Sequence, residues 1–493
     1  MVTSAMQFLY HAQSNRRANE IIMDGFSTSV PATRRIYANR TLNLRDIGAV
    51  GFDMDYTLVH YDVEAWEGAA FAAAKSILLQ EGLAVESLAF DHTAFSRGLV
   101  LDLQYGNVVK ANRFGYPKRA SHGTVMLPWR EQRDLYARTF VDLRDKRWVF
   151  LNTLFSLSMA SLFAQLVDRI DRNTLPGVAS YQEAFERVSR ALFRVHTEGH
   201  IKDAVIANPS AFIAPDPETP LALLDLRHAG KKLALITNSG WKYTRAVMEH
   251  TFDPYLSGES WRSLFDVVMV AARKPTFFTR EDPVYQVVDT DQGLLQEHMG
   301  PLAAEEAYHG GNASMVEEAF GLSGQSILYV GDHVFADVNV SKKLLRWRTG
   351  LVVRELEEDL GDAAENTGAI AALMHEKRSI EHLMSVIRLK QQRLAKAYGP
   401  QPTESAGDLA NQLDAHYRDI EALDARVSPL VAAQGTHGND RWGSLFRAGN
   451  DKSHLARQVE RYADFYTSRV SNLMWATPHA YLRSDRGNLP HDG

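Results

Sequence analysis

What most limits the fold of this chain is a set of short apolar runs, each stopped by polar residues that can carry chemistry. Ile47–Phe52 (IGAVGF) ends in Asp53-Met54-Asp55, and Lys232–Ile236 (KLALI) ends in Thr237-Asn238-Ser239. Phe265–Ala271 (FDVVMVA) is followed by Lys274, and Ile327–Val330 (ILYV) by Gly331-Asp332; Leu351–Val353 is a fifth candidate run. Runs this short, continuous and β-prone are predicted to be parallel strands covered on both faces. In an open α/β sheet the ligand crevice lies beyond the carboxyl ends of the strands. Four polar strand ends are therefore expected to face one crevice.

Composition narrows the chemistry. At 493 residues the chain has room for about three domains of ordinary size. A net charge of -6 argues against a dedicated nucleic-acid binder. There are no cysteines, which removes disulfides, thiolate metal sites and cysteine nucleophiles together. Any metal must then be held by oxygen or nitrogen. The opening MVTSAMQFLYHAQSNRR lacks the pattern of a secretory leader, and no apolar run approaches the roughly 18 residues of a membrane span. A soluble cytoplasmic protein without a membrane partner is the expectation.

The spacing of these runs divides the chain. Residues 1–45 read as a polar arm. A catalytic core is expected over 46–60 and 226–355, with 61–225 inserted between its first two strands as a mostly helical cap, too long for a simple crossover. After Lys274, PVYQVVDTDQGLL predicts a hairpin around Asp289–Gly293. Residues 356–493 read as a C-terminal helical region. There Ile380, Leu383, Ile387 and Leu394 in one helix, and Leu409, Leu413, His416, Ile420 and Leu423 in another, suggest a packed antiparallel pair. The acidic stretch 354–365 reads as a solvated helix face.

Each strand end has an ordinary reading and a chemical one. Asp53 and Asp55 can share a hard divalent cation such as Mg²⁺, or one can attack phosphorus while the other handles protons. Thr237 to Ser239 can cap a helix or cradle a phosphate. Lys274 can be a surface charge or neutralise a phosphoryl oxygen. Asp332 and Asp337 can cap a helix or bind and orient a metal, with Gly331 allowing a tight turn. Singly, the ordinary readings are sufficient. In this order along four successive strands they are not, because acid–acid, hydroxyl, lysine and acid–acid together meet the needs of phosphoryl transfer.

Phe52–Thr57 (FDMDYT), Thr237–Ser239, Lys274 and GDHVFAD resemble the four motifs of the haloacid-dehalogenase superfamily of phosphohydrolases. GLVLDLQYGNVVK (98–110), LNTLFSL (151–157), ITNSGWKYT (236–244), ARKPTFF (272–278), YVGDHVFADV (329–338) and WGSLFRAGN (442–450) are similar to the cytosolic purine 5′-nucleotidases that prefer IMP and GMP. The resemblance runs from about residue 45 onward. It implies a Rossmann-like, doubly wound α/β core, with Asp53 as the nucleophile that forms an aspartyl-phosphate. Asp55 would be the general acid and base. Mg²⁺ would be held by Asp53 and Asp332 with the Asp55 segment, through the Met54 carbonyl. Thr237, Asn238, Ser239 and Lys274 would grip the phosphoryl oxygens, and Asp337 would support the metal or Lys274.

For the substrate, the resemblance implies that Phe155 and His196 sandwich a purine base, with Lys202 near the nucleotide. The chain departs from the family at Ser156, Ser189 and Phe193, where an Asn, an Arg and an Asp would stand; Arg190 and Arg194 lie close by in sequence. Losing hydrogen-bond partners at a base edge removes discrimination. Asn152 falls at a position near the family's effector site, whereas Asp142 stands where a basic residue would be expected. A homo-oligomer, dimer or tetramer, is also implied, as is phosphoryl transfer to a nucleoside in some members. Two alternatives remain at this level: a phosphatase for another phosphomonoester, and a non-catalytic scaffold retaining the fold.

Overall fold

A computed structural model describes residues 30–360, 367–398, 400–435 and 438–484. The arm expected over 1–45 lies mostly outside the described residues. The described residues fall into two compact units, one reaching to Glu357 and resuming at Leu445, the other Glu358–Ser444.

The first unit is built on a ten-stranded sheet. In chain order its strands are β1 (Tyr37–Ala38), β2 (Ala49–Phe52), β3 (Lys232–Ile236), β4 (Val267–Val270), β5 (Val284–Asp289), β6 (Leu294–Glu297), β7 (Ala307–Gly310), β8 (Ile327–Gly331), β9 (Arg348–Val352) and β10 (Phe465–Thr467). They lie in the order β1-β10-β9-β8-β2-β3-β4-β7-β5-β6. From β10 to β7 every pairing is parallel, and the antiparallel pairings lie at the two edges. All five runs read from the sequence are among the parallel strands. Every residue of β2, β4 and β8 is buried, as strands covered on both faces require. The chain enters at β2 in the middle, builds outward through β3, β4 and β7, then returns through β8 to β9. The carboxyl ends of β2, β3 and β8 thus surround the point where the strand order reverses, the place where open α/β sheets bind ligands. The hairpin expected around Asp289–Gly293 is β5–β6 at one edge.

The interval 61–225 is not mostly helical. It contains α1 (Val63–Gln80), α2 (Leu157–Asp171), α3 (Tyr181–Thr197) and α4 (His200–Ala207). It also holds a five-stranded antiparallel sheet running from Val100–Asp102 to Trp148–Phe150. Its strands Val100–Asp102 and Asn107–Ala111 are wholly buried, so their short apolar runs lack the alternation that marks an antiparallel sheet. Asp102 anchors this sheet, accepting from Arg147 Nε at 2.7 Å and from the Tyr136 hydroxyl at 2.9 Å. Asp62 and Ser180 cap the starts of α1 and α3.

After β3 the chain forms α5 (Trp241–Phe252), directly behind Ser239, and after β4 it forms the β5–β6 edge. The region expected to be helical from 356 onward divides. The second unit holds two helices, α6 (Thr367–Lys396) and α7 (Ala406–Gly435). Pairs Lys377–Asp424 and Lys390–Glu404 run in opposite chain directions, so the two are antiparallel. Their seam departs from the expected one: Leu383 is 48 % exposed, and Met384 with Ile387 turns inward. From Leu445 the chain rejoins the first unit and supplies β10. The acidic stretch 354–365 is not simply solvated, since Glu357 pairs with Arg354 and Arg469; residues 361–365 lie outside the described set.

Candidate active site

At the strand ends the side chains meet around one lysine. Asp53 follows β2, and its N–H donates to Val330 O at 2.9 Å, which ties it to β8. Lys274 Nζ stands 2.7 Å from Asp53 Oδ1 and 2.8 Å from Asp337 Oδ1. It also donates to the Tyr329 hydroxyl at 3.0 Å, which in turn donates to Ile236 O. Two glycines make this approach possible. A Cβ on Gly51 would meet the Tyr329 ring at 2.8 Å, and one on Gly331 would meet Asp337 Oδ2 at 2.5 Å. Gly331 does not take the positive φ of a tight turn; it leaves room for Asp337 to fold back on the strand end. Backbone strain clusters here as well, with positive φ at Tyr56, Ala271 and Arg273 beside the two loops.

Asp53, Asp332 and Asp337 are buried, and each offers an oxygen within 4.8 Å of the others. Asp55 lies outside this group: Asp337 joins Asp53 and Asp332, while the Asp55 carboxylate is turned to Tyr61 and Ser239. Burial pushes Asp53 well above the usual carboxylate range despite Lys274, and raises Asp332 to about 7 despite Arg97. Burial opposes the charge on Lys274, but Asp337 and Asp53 outweigh it and hold the ammonium well above the ordinary lysine value. The cluster is thus short of positive charge. An oxygen-only set of buried carboxylates with that deficit fits a hard divalent cation.

Arg97 and Thr153, which the sequence did not single out, complete the Asp332 side. Arg97 is 3 % exposed and donates to the backbone oxygens of Asp332, Asn152 and Val352. Thr153 Oγ1 donates to Asp332 Oδ2 at 3.0 Å. Asn152 itself donates to His333 Nδ1 at 2.8 Å.

The hydroxyl motif is divided in its duties. Asn238 is clasped to the Lys274 backbone, accepting its N–H at 2.6 Å and donating to its carbonyl at 3.1 Å. Thr237 accepts the Ser239 N–H, and Ser239 Oγ donates to Asp55 Oδ2 at 2.7 Å. Lys202, at the start of α4, donates to Ser239 Oγ at 3.3 Å.

Phe155 and His196 do come together, but edge to face, with ring centroids 6.1 Å apart at 77°. Phe155 also lies against Tyr56 and Trp66, with centroids at 4.6 and 5.5 Å. The rings therefore do not frame a parallel slot between them. Ser189 is half-buried, Phe193 is 68 % exposed, and Arg194 is paired with Glu198. On the Asp142 side, the carboxylate accepts from Arg144 next to it.

The profile of the 5′ nucleotidase family matches residues 36–493. A 5′-nucleotidase domain-containing protein of Dictyostelium discoideum is 26 % identical over 476 residues, covering 93 % of this chain and 74 % of its own. The match spans β2, β3, β4 and β8, whose ends carry the buried carboxylates, the hydroxyls and Lys274. Among the described residues no helix is long and apolar enough to cross a membrane. The chain belongs to the 5′ nucleotidase family and is a phosphoric monoester hydrolase.

Proposed function

We propose that this protein is a Mg²⁺-dependent 5′-nucleotidase of haloacid-dehalogenase type that hydrolyses purine nucleoside 5′-monophosphates, IMP and GMP first. The observation that carries the reading is Lys274 seated between Asp53 and Asp337, with Asp332 beside them. Asp53 attacks phosphorus, forming an aspartyl-phosphate while the ester P–O bond breaks. A carboxylate alone would repel a dianionic phosphomonoester; Lys274 places positive charge where the phosphoryl oxygens gather. Asp53 and Asp332, with Asp337 adjoining, would hold the cation, which supplies further charge neutralisation when bound. Asp55 protonates the departing nucleoside oxygen, then takes a proton from the water that attacks the aspartyl-phosphate. Thr237 and Ser239 hold the phosphoryl group through hydroxyl and backbone, Asn238 fixes the Lys274 loop, and Lys202 adds charge at the mouth. Phe155 and His196 contact the base after their rings reorient. A nucleoside in place of water turns the second step into phosphotransfer.

The same reading carries a cytoplasmic homo-oligomer. The exposed apolar residues Leu383, Val386 and Leu389 on α6 supply a face that a second copy would cover. The edge-to-face rings, with Ser189 and Phe193 standing where the resemblance implies an Arg and an Asp, favour as second reading another phosphomonoester substrate. Phosphate release from a panel of mononucleotides and sugar phosphates with Mg²⁺, blanked by Asp53→Asn, separates them. IMP and GMP are expected to lead; a flat profile or a preference for sugar phosphates overturns the nucleotidase reading.

A further inference from the structure

A hydroxyl relay on the proton-handling side of the site is left without a role by the chemistry above. Asp55 Oδ1 accepts from the Tyr61 hydroxyl at 2.5 Å, and Tyr61 accepts from the Tyr243 hydroxyl at 2.9 Å. A phenol has one proton, so the donation from Tyr243 commits Tyr61's own proton to Asp55. On the other oxygen, Asp55 Oδ2 accepts from Ser239, whose oxygen accepts in turn from Lys202. The two oxygens of one carboxylate are thus held by unlike groups. Tyr61 cannot easily leave: it is 4 % exposed, with its ring centroid 4.5 Å from Trp66 and 5.3 Å from Tyr56. Ser239 has an alternative partner, because it belongs to the strand end that meets the phosphoryl group. Burial and the Asp55 charge push the Tyr61 hydroxyl well above the phenol range, so it remains a neutral donor.

We propose that Tyr61 is a positioning residue that pins Oδ1 of Asp55 and thereby assigns proton transfer to Oδ2, which Ser239 uncovers as it turns to a phosphoryl oxygen. The proposal rests on Asp55 acting as general acid and base, as in the preceding reading. The protons balance. A phosphomonoester dianion brings no proton, so Oδ2 enters the step carrying one from solvent; Oδ2 passes it to the ester oxygen as the P–O bond breaks toward the leaving group and the Asp53–phosphorus bond forms. Attacking water then gives a proton to Oδ2 as the Asp53–phosphorus bond breaks, phosphate leaves with water's other proton, and Oδ2 is again protonated for the next turnover. Tyr61 donates throughout and is never transferred. Its value is geometric, since a displacement of about 1 Å at a reacting group can cost on the order of 100-fold in rate.

The test uses the full chain with Mg²⁺ and compares first-turnover release from IMP with that from p-nitrophenyl phosphate. A nucleoside oxygen must be protonated to leave, whereas p-nitrophenolate leaves without a proton. Tyr61→Phe keeps the ring and removes the donor. It is expected to slow release from IMP by roughly 30-fold or more with KM within about threefold, and nitrophenolate release by less than about twofold. Equal slowing of both, the mark of a merely structural role, overturns the proposal; so does no slowing on IMP. Tyr243→Phe, which frees the Tyr61 proton without touching Asp55, is expected to show the same selectivity at about threefold. It carries the test if Tyr61→Phe does not fold. If the wild-type chain spares IMP but cleaves an alkyl sugar phosphate with Asp53 dependence, the nucleotide reading fails and this one is tested on that ester instead.

Discussion

Lys274 and Asp337 form an ion pair at 2.8 Å in which the two side chains are 2 % and 1 % exposed. The pair joins the loop after β4 to the segment after β8, and Asp53 closes the contact from β2. The ends of three strands are therefore held by one ammonium. Removing one partner of a buried pair leaves the others charged and unsolvated. Lys274→Met is expected to lower stability by about 3–5 kcal/mol in urea unfolding and to abolish phosphate release. Unchanged unfolding would mean that the carboxylates are neutral without the lysine.

Divalent cation should act on stability as well as on rate. With the chain stripped by chelator, adding Mg²⁺ to about 100 times its Kd is expected to stabilise the fold by about 2.7 kcal/mol, read as a rise in Tm. Asp332→Asn should remove most of that rise. A variant that keeps the full rise places the cation elsewhere.

Arg97 donates to backbone oxygens of Asp332, Asn152 and Val352 and pairs with Glu355 at 3.6 Å, and the backbone contacts set where the Asp332 carboxylate can reach. Arg97→Met is expected to weaken Mg²⁺ binding by about 10- to 100-fold, measured from the cation dependence of Tm. An unaltered Kd with lowered Tm would assign Arg97 to packing alone.

Glu67 gives a pH test away from the site. Wholly buried on α1, it accepts the Ser158 N–H at 2.7 Å at the start of α2, and burial raises its carboxyl from 4.5 to about 7. A raised carboxyl contributes stability that is fully present below pH 4.5 and lost as pH climbs through 7. The loss is on the order of 3 kcal/mol. Glu67→Gln should flatten the fall in Tm between pH 5 and pH 8 relative to wild type. Parallel curves for the two proteins would refute a buried neutral carboxyl.

Phe155 should matter to binding rather than to chemistry. Phe155→Leu is expected to lower kcat/KM for IMP by about 1–3 kcal/mol, the range of a lost base–aromatic stack, while p-nitrophenyl phosphate turns over as before. Equal losses on both substrates would make Phe155 a core residue among Tyr56, Trp66 and His196.

The parallel strands were readable because burial on both faces leaves continuous apolar runs, and the chemistry stood at their ends. The site residues that went unread act through three-dimensional proximity. Tyr61 looks like any strand aromatic until Asp55 meets it, and Tyr329 sits within the buried run of β8 with only Gly51 to admit its ring. Arg97 carries no local sign of burial, since its partners, backbone oxygens and Glu355, lie far from it in sequence. Within the antiparallel sheet of 100–150, Val100–Asp102 and Asn107–Ala111 were hidden because full burial erases alternation. At Leu383 and Met384 an expected 3.5-residue seam lost to the 3.6-residue turn of a straight helix.

β10 pairs in parallel with β9, although more than a hundred residues separate them in sequence. Phe465 fills the space over Gly350, where a Cβ would lie 2.4 Å from its ring, and Asp464 accepts the Thr349 N–H at 2.8 Å. During synthesis the ribosome must finish the whole of 358–444 before this strand emerges. Until then β9 has an open backbone edge, the kind that invites another chain to pair with it. The nascent protein therefore carries its finished catalytic loops on an unfinished sheet, and chaperone capture at that stage would guard β9 rather than the active site.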